Sequence, residues 1–277
     1  MVFCLLTLHK RLVRVCAYGL DLERIPMMRR HAIALQNFLW IFVFIFPLHS
    51  EEVASIVEKI DRLFRSQSSQ AEIVMTISTP HWKRQVALDA WSEGMEKTFV
   101  RIKSPKKDRG VATLRRGKEM WNYFPKIDKT IKVPPSMMMG SWMGSDFSND
   151  DLVRESSLLH DYRASFVLDE SIPVEHVLIS LKPKEKTISV WGEIHLLVQK
   201  NDGIPIRETY YNERREKIRV LHFKKVKNLG GKKIPSVLEM IPLKKKGYKT
   251  VIEYKKALFD QDLPKGLFTL RNLKKKC

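Results

Sequence analysis

The chain has 277 residues, with 50 Lys and Arg against 31 Asp and Glu, for a formal net charge of +19. Hydrophobic residues make up 44% and charged ones 29%, the balance of a folded protein and not of a disordered one. Three cysteines, Cys4, Cys16 and Cys277, stand only at the two ends, which excludes a disulfide framework and a clustered cysteine zinc site.

The first distinctive segment is Phe38–Leu48, FLWIFVFIFPL, eleven positions without a polar side chain. A bilayer of about 30 Å needs roughly 20 apolar residues, so this run is too short to span one. Met27-Met28-Arg29-Arg30-His31 ahead of it is basic, and Leu48-His49-Ser50 places a small residue before the acidic pair Glu51-Glu52. That is the three-part layout of a secretory signal peptide. An uncleaved N-terminal anchor is the alternative, and the shortness of the run argues against it. Residues 1–50 are therefore expected to be a signal region, with 1–26 upstream of a true start at Met27 or Met28. Residues 51–277 are then one exported domain. Residues 1–50 hold six basic and two acidic side chains, which leaves +15 on residues 51–277. An exported chain with that charge meets anionic lipid head groups far more than nucleic acid.

Past Glu52, the apolar residues Val53, Ile56, Val57, Ile60, Leu63 and Phe64 fall on one face of an amphipathic helix that should end near Ser66. The period then changes to two. Ile73, Met75 and Ile77 form one alternating set, Val86, Leu88 and Ala90 a second, and Thr98–Ile102 a third. Further strands are expected at Val111–Leu114, Met120–Phe124, Thr130–Val133, Ser165–Leu168 and Glu175–Leu181. The rest lie at Ser189–Gln199, Pro205–Tyr211, Ile218–Val226, Ser236–Pro242 and Lys249–Lys255. Turn signals such as Asn201-Asp202-Gly203, Gly230-Gly231 and Lys246-Gly247 separate them. One helix followed by many hairpin-linked strands predicts a mainly β fold, an antiparallel sheet curled into a barrel or half-barrel.

Residues 134–152, PPSMMMGSWMGSDFSNDDL, break this pattern. Methionine is flexible and polarizable and suits apolar partners of varying shape. Two readings stay open, a fixed plug in one end of the barrel and a movable lid over a binding site, and Gly140 and Gly144 would let the segment bend in either. Ser148-Asn149-Asp150-Asp151-Leu152 reads as the capped start of a short helix.

Trp121-Asn122-Tyr123-Phe124-Pro125, Pro134-Pro135-Ser136, Met143-Gly144-Ser145-Asp146-Phe147-Ser148 and Asp151-Leu152 resemble the outer-membrane lipoprotein-sorting protein family, the group of periplasmic proteins similar to the LolA lipoprotein carrier. The ending Leu263–Thr269, with Arg271 and Leu273, continues the resemblance, which covers about residues 51–277. It implies a half-open antiparallel barrel wrapped round helices, an apolar cavity for acyl chains, and a periplasmic location.

Catalytic signals are weak. His81, His160, His176, His195 and His222 show no spacing of two to four, and no phosphate-binding Gly-rich loop with its Lys occurs. In Gly140–Gly144 the serine stands second and not third, so it is no nucleophile elbow. No enzyme activity, cofactor or metal is expected. The reading is a monomeric carrier of lipid or lipoprotein acyl chains, loaded by an inner-membrane donor and emptied to an outer-membrane acceptor. A lipid-sensing regulatory or scaffold domain is the alternative. Trp121 and Tyr123 are expected on a sheet face near the cavity, with Met137, Met138, Met139, Trp142, Met143 and Phe147 as its movable mouth. Lys244, Lys245 and Lys246, at a turn before Gly247, are the expected head-group or membrane contact.

Overall fold

The computed structural model describes residues 51–64, 66–153, 158–185, 187 and 191–275. The expected signal region, residues 1–50, lies outside the described residues. All described residues belong to one unit, Ser50–Cys277.

Helix α1 covers residues 51–61 and buries Val53, Val57 and Ile60, the stripe expected from their spacing. It ends some residues earlier than the apolar pattern suggests. The Leu63 N–H bonds to the Ile60 carbonyl at 3.1 Å, a tightened last turn that stops the helix. Phe64 leaves the helical face and stacks on Tyr254, with ring centres 5.3 Å apart.

Thirteen strands follow among the described residues. They are β1 (Ser68–Ser78), β2 (Lys83–Glu93), β3 (Lys97–Ser104), β4 (Ala112–Arg116), β5 (Glu119–Phe124) and β6 (Lys129–Lys132). After the short helices α2 (Asn149–Val153) and α3 (Leu158–Asp161) come β7 (Tyr162–Val167), β8 (His176–Pro183), β9 (Glu193–Gln199) and β10 (Pro205–Tyr211). Then β11 (Lys217–Leu229), β12 (Lys232–Pro242), β13 (Lys249–Phe259) and a last turn of helix, α4 (Leu270–Leu273), complete the chain. Each expected strand is present, Pro205–Tyr211 with the expected ends and the others with shifted ones. Of the segment expected as strand over Ser189–Gln199, the described part is strand from Glu193. Gly192 just before it runs so close to the Asn212 backbone that a Cβ would fall 2.6 Å from its carbonyl oxygen. Residues 188–190 lie outside the described set.

The strand order is β6-β5-β4-β3-β2-β1-β13-β12-β11-β10-β9-β8-β7, with every pair antiparallel. The chain thus starts in the middle of the sheet, meanders out to one edge at β6, crosses to the other edge at β7, and meanders back to the middle at β13. Among the described residues no pairing joins β6 to β7, so the curled sheet stays unclosed. The crossover, residues 133–161, holds the Met-rich segment and is called the strap below.

The register sorts side chains onto two faces. Cross-strand pairs Met75–Val86, Ile73–Leu88, Leu221–Met240 and Leu238–Ile252 set the inner face, against which α1 and the strap pack. On the outer face, Phe99, Ala112, Leu114, Trp121 and Tyr123 are covered by Leu267 and Leu273 of the C-terminal segment. Strand β4 is accordingly buried at Ala112, Thr113, Leu114 and Arg115 in succession, since both of its faces are covered.

Candidate functional site

A cavity of about 350 Å³ lies on the inner face, within the range of small-molecule sites. Its walls are mostly apolar. Ile73, Met75 and Leu88 come from the first half of the sheet, Leu221, Leu238 and Ile252 from the second, and Ile60 and Phe64 from α1 and its exit.

One end is closed by the strap. Trp142, 4% exposed, reaches into the sheet and donates its indole N–H to Thr113 Oγ1 at 3.1 Å. The Arg84 guanidinium donates to the Met143 carbonyl at 3.3 Å. The Asp146 N–H bonds to Thr250 Oγ1 at 2.9 Å, and the Thr250 hydroxyl donates back to Asp146 Oδ2 at 2.7 Å. Strands β4, β2 and β13 each hold the strap by these contacts. Backbone geometry tightens it further. Met143 and Gly144 both adopt positive φ, and a Cβ on Gly140 would lie 2.9 Å from the Met137 carbonyl oxygen.

A fourth tie lies where α2 begins. Ser148 caps the helix, its N–H and hydroxyl bonding Asp151 Oδ2 at 2.8 and 2.9 Å while the Asp151 N–H returns to Ser148 Oγ at 3.2 Å. The Asp151 carboxylate also takes a bidentate pair of bonds from Arg219 at 2.7 and 2.5 Å. Arg219 is buried, its guanidinium against the rings of Trp191 and Tyr210, 4.4 and 4.3 Å from their centres. Beside it, the Tyr210 hydroxyl donates to the buried Glu208 carboxylate, and both residues line the cavity.

The other end is the mouth. There the lining side chains Ser69, Ser92, Met95 and Thr98 are only half-buried, around the joint between α1 and β1 and the β2–β3 turn. Ser69 and Ser92 share a hydrogen bond of 2.6 Å. The half-buried Asp61, at the end of α1, also lines the cavity beside these hydroxyls.

The expected site residues divide accordingly. Trp142 and Phe147 line the cavity. Met138 and Met143 are half-buried against the core, while Met137 and Met139 are 60% and 41% exposed on the strap's far side. Trp121 and Tyr123 are not on the cavity face. They point outward into the cluster under the C-terminal segment, because β5 presents Met120 and Asn122 inward. The strap is pinned at the closed end, and the mouth lies at the opposite ends of the strands. Lys244, Lys245 and Lys246 are exposed on the β12–β13 turn at the strap end, where Lys244 pairs with Glu216 at 2.8 Å. The composition of the sequence singles out none of Arg219, Glu208, Tyr210 and Trp191. The signal was alternation, which puts Arg219 on the same side of β11 as Leu221 and Phe223.

A family model whose description is "uncharacterized protein" matches residues 94–275. The chain belongs to this family. Comparison with curated proteins gives no match. Among solved structures, a DUF1329 family protein from Desulfovibrio piger superposes with a TM-score of 0.72 at 19% identity, over 81% of this chain and 99% of its own. A LolA superfamily protein from Nitrosomonas europaea gives 0.67 at 23% identity, over 79% and 98%. A domain assigned to outer membrane lipoprotein sorting from Vibrio parahaemolyticus gives 0.69 at 18%, over 82% and 100%. The LolA-like fold expected from the sequence is therefore the fold of this chain, and its open, antiparallel half-barrel is shared with these proteins. No helix among the described residues is long and apolar enough to cross a membrane.

Proposed function

We propose that the chain is an exported periplasmic carrier that takes lipid, or the acyl chains of lipoproteins, into the cavity and passes them towards the outer membrane. The observation that carries this reading is the apolar cavity itself, closed by Trp142 and Phe147 at one end and collared by serine and threonine hydroxyls at the other. Each buried methylene contributes about 0.8 kcal/mol, so roughly fourteen of them contribute on the order of 11 kcal/mol before opposing terms. The hydroxyl collar suits the uncharged ester or amide that joins such a chain to its head group. The similarity to a LolA superfamily protein and a lipoprotein-sorting domain supports the same reading at the level of fold.

The chain contains no nucleotide-binding loop to drive release, so loading falls to an inner-membrane donor and unloading to an outer-membrane acceptor. Native mass spectrometry of the protein purified from its own envelope tests the proposal. Bound lipid or acylated peptide is the expected result. A ligand-free protein that also fails to take up a fluorescent fatty-acyl probe would overturn it.

A further inference from the structure

The β11–β12 hairpin has five lysines and no acidic residue in the ten positions Lys224–Lys233. Alternation along β11 would aim Lys225 into the cavity, two places after Phe223, as it aims Arg219 and Leu221. Lys225 instead adopts a left-handed backbone, φ 54°, and is exposed. Its carbonyl accepts the hydroxyl of the fully buried Ser236 at 2.6 Å, which holds this strained conformation in place. The kink leaves Lys225, Val226 and Lys227 all facing solvent, with Val226 40% exposed between two charges.

This tip sits on the cavity mouth. Gly230 approaches β13 so closely that a Cβ would fall 2.6 Å from the Ala257 carbonyl oxygen and 3.1 Å from the Phe259 ring. The Lys232 ammonium lies 4.4 Å from the centre of that ring and donates to Ser66 in the joint after α1. Ala257 and Phe259 both line the cavity. Glu239 pairs with Lys224 and Asp202 with Lys233, and Glu253, itself paired with Lys255, also feels the charges of Lys225 and Lys227, so the hairpin's five lysines meet three carboxylates and stay in excess.

We infer that the β11–β12 hairpin seats the cavity mouth on an anionic lipid surface, with Lys225 and Lys227 at the head groups and Val226 at the top of the acyl layer. An apolar side chain flanked by lysines matches the head-group boundary of a membrane, where charge attraction and apolar burial act together. The inference deepens the carrier reading and rests on it for its purpose, delivery of a chain from the mouth, while its test is separate. It also moves the membrane contact from Lys244–Lys246, at the strap end, to the opposite end of the molecule.

Flotation with phosphatidylcholine vesicles, with and without phosphatidylglycerol, is the test. The unaltered protein should prefer the anionic vesicles and lose the preference in high salt. Lys225→Glu with Lys227→Glu should lower partitioning at least about 25-fold, roughly fivefold for each lysine. Lys225→Gln with Lys227→Gln should act in the same direction but less, and Lys244→Glu with Lys246→Glu should change it less than about threefold. All of these side chains are exposed, and circular dichroism is to check that each variant folds. Full binding by the hairpin variants, or a loss carried by the Lys244 and Lys246 variant, would overturn the inference. Equal binding to neutral and anionic vesicles would do the same and would assign the hairpin's charge to an acidic protein face. Uptake of a fatty-acyl probe from solution reads the cavity independently: it should survive in the hairpin variants, and its absence in the unaltered protein counts against the carrier reading alone.

Discussion

At the strap end of the cavity, Trp142, Asp146 and Asp151 are bonded to Thr113, Thr250 and Arg219, on strands β4, β13 and β11. At the mouth, half-buried Ser69 and Ser92 bond to each other and the nearby turns carry exposed charge. The sheet explains the contrast. Among the described residues its edges β6 and β7 do not pair, so hydrogen bonding alone does not fix its curvature. The strap is the segment that runs between those edges, and its bonds to both halves of the sheet do the work that closure does in a true barrel. A cavity held in shape at one end can open at the other without unfolding.

Removing a tie at the strap end should be the most damaging change. Arg219→Ala leaves the Asp151 carboxylate in a largely buried site without its bidentate partner, which should destabilise the protein by about 3–5 kcal/mol in urea unfolding. Arg219→Met combined with Asp151→Leu should recover much of that loss, because an apolar pair leaves no charge buried. A loss below about 1 kcal/mol for Arg219→Ala would show that the strap does not set the curvature.

Trp142→Phe comes next. It keeps an aromatic ring in the core but removes the bond to Thr113 and some volume, for about 1–2 kcal/mol. The mouth should behave differently. Ser92→Trp fills a half-exposed site and should change stability by less than about 1 kcal/mol. It should nevertheless weaken acyl-probe binding by more than tenfold, about 1.4 kcal/mol or more. If Ser92→Trp unfolds the protein while Trp142→Phe only weakens the probe, the two ends have been assigned the wrong way round.

Most of the fold is legible in the sequence, since alternation along each strand and the 3.6-residue stripe Val53, Val57, Ile60 are local signals. The capping of α2 by Ser148 is legible for the same reason. Two things are not. Local pattern says which residues share a face but not which face is inner, so Trp121 and Tyr123 are easily put beside the cavity although Leu267 and Leu273 cover them. Local pattern also sees Asp151 as part of a helix cap, and alternation puts Arg219 on the side of Leu221 and Phe223 without naming a partner for it. Their pairing spans 68 positions and exists only because the crossover brings α2 over β11. The Met-rich composition marks the strap as special, but methionines suit a plug and a lid equally, and the ties to Thr113, Thr250 and Arg219 that bear on the choice are long-range contacts.

The smallest effect is also the one that tests the strap without removing a contact. Burial raises the Asp146 carboxyl above its ordinary 3.8, by more than the Thr250 hydrogen bond and the Lys245 charge lower it. The folded protein therefore holds this proton more tightly than the unfolded chain, so Asp146 makes stability fall as pH rises from below 3.8 through the raised value. Glu193 and Glu239 act oppositely. Burial alone would raise Glu193, but hydrogen bonds from Ser180 and His195 outweigh it, and the Lys224 hydrogen bond leads in lowering Glu239. Their stabilisation is present above 4.5 and lost as pH falls through the lowered values, so a single pH curve mixes both signs. The difference between the unaltered protein and Asp146→Asn isolates one of them. Asparagine keeps an oxygen to accept from Thr250 and has no charge to bury. Its stability relative to the unaltered protein should therefore grow as pH rises above 3.8, by less than about 1 kcal/mol because the group is half-exposed and screened. Urea midpoints from acid to neutral pH give the answer. A gap that shrinks with rising pH would mean that attraction to Lys245 outweighs burial at the closed end, and that the strap is held partly by charge.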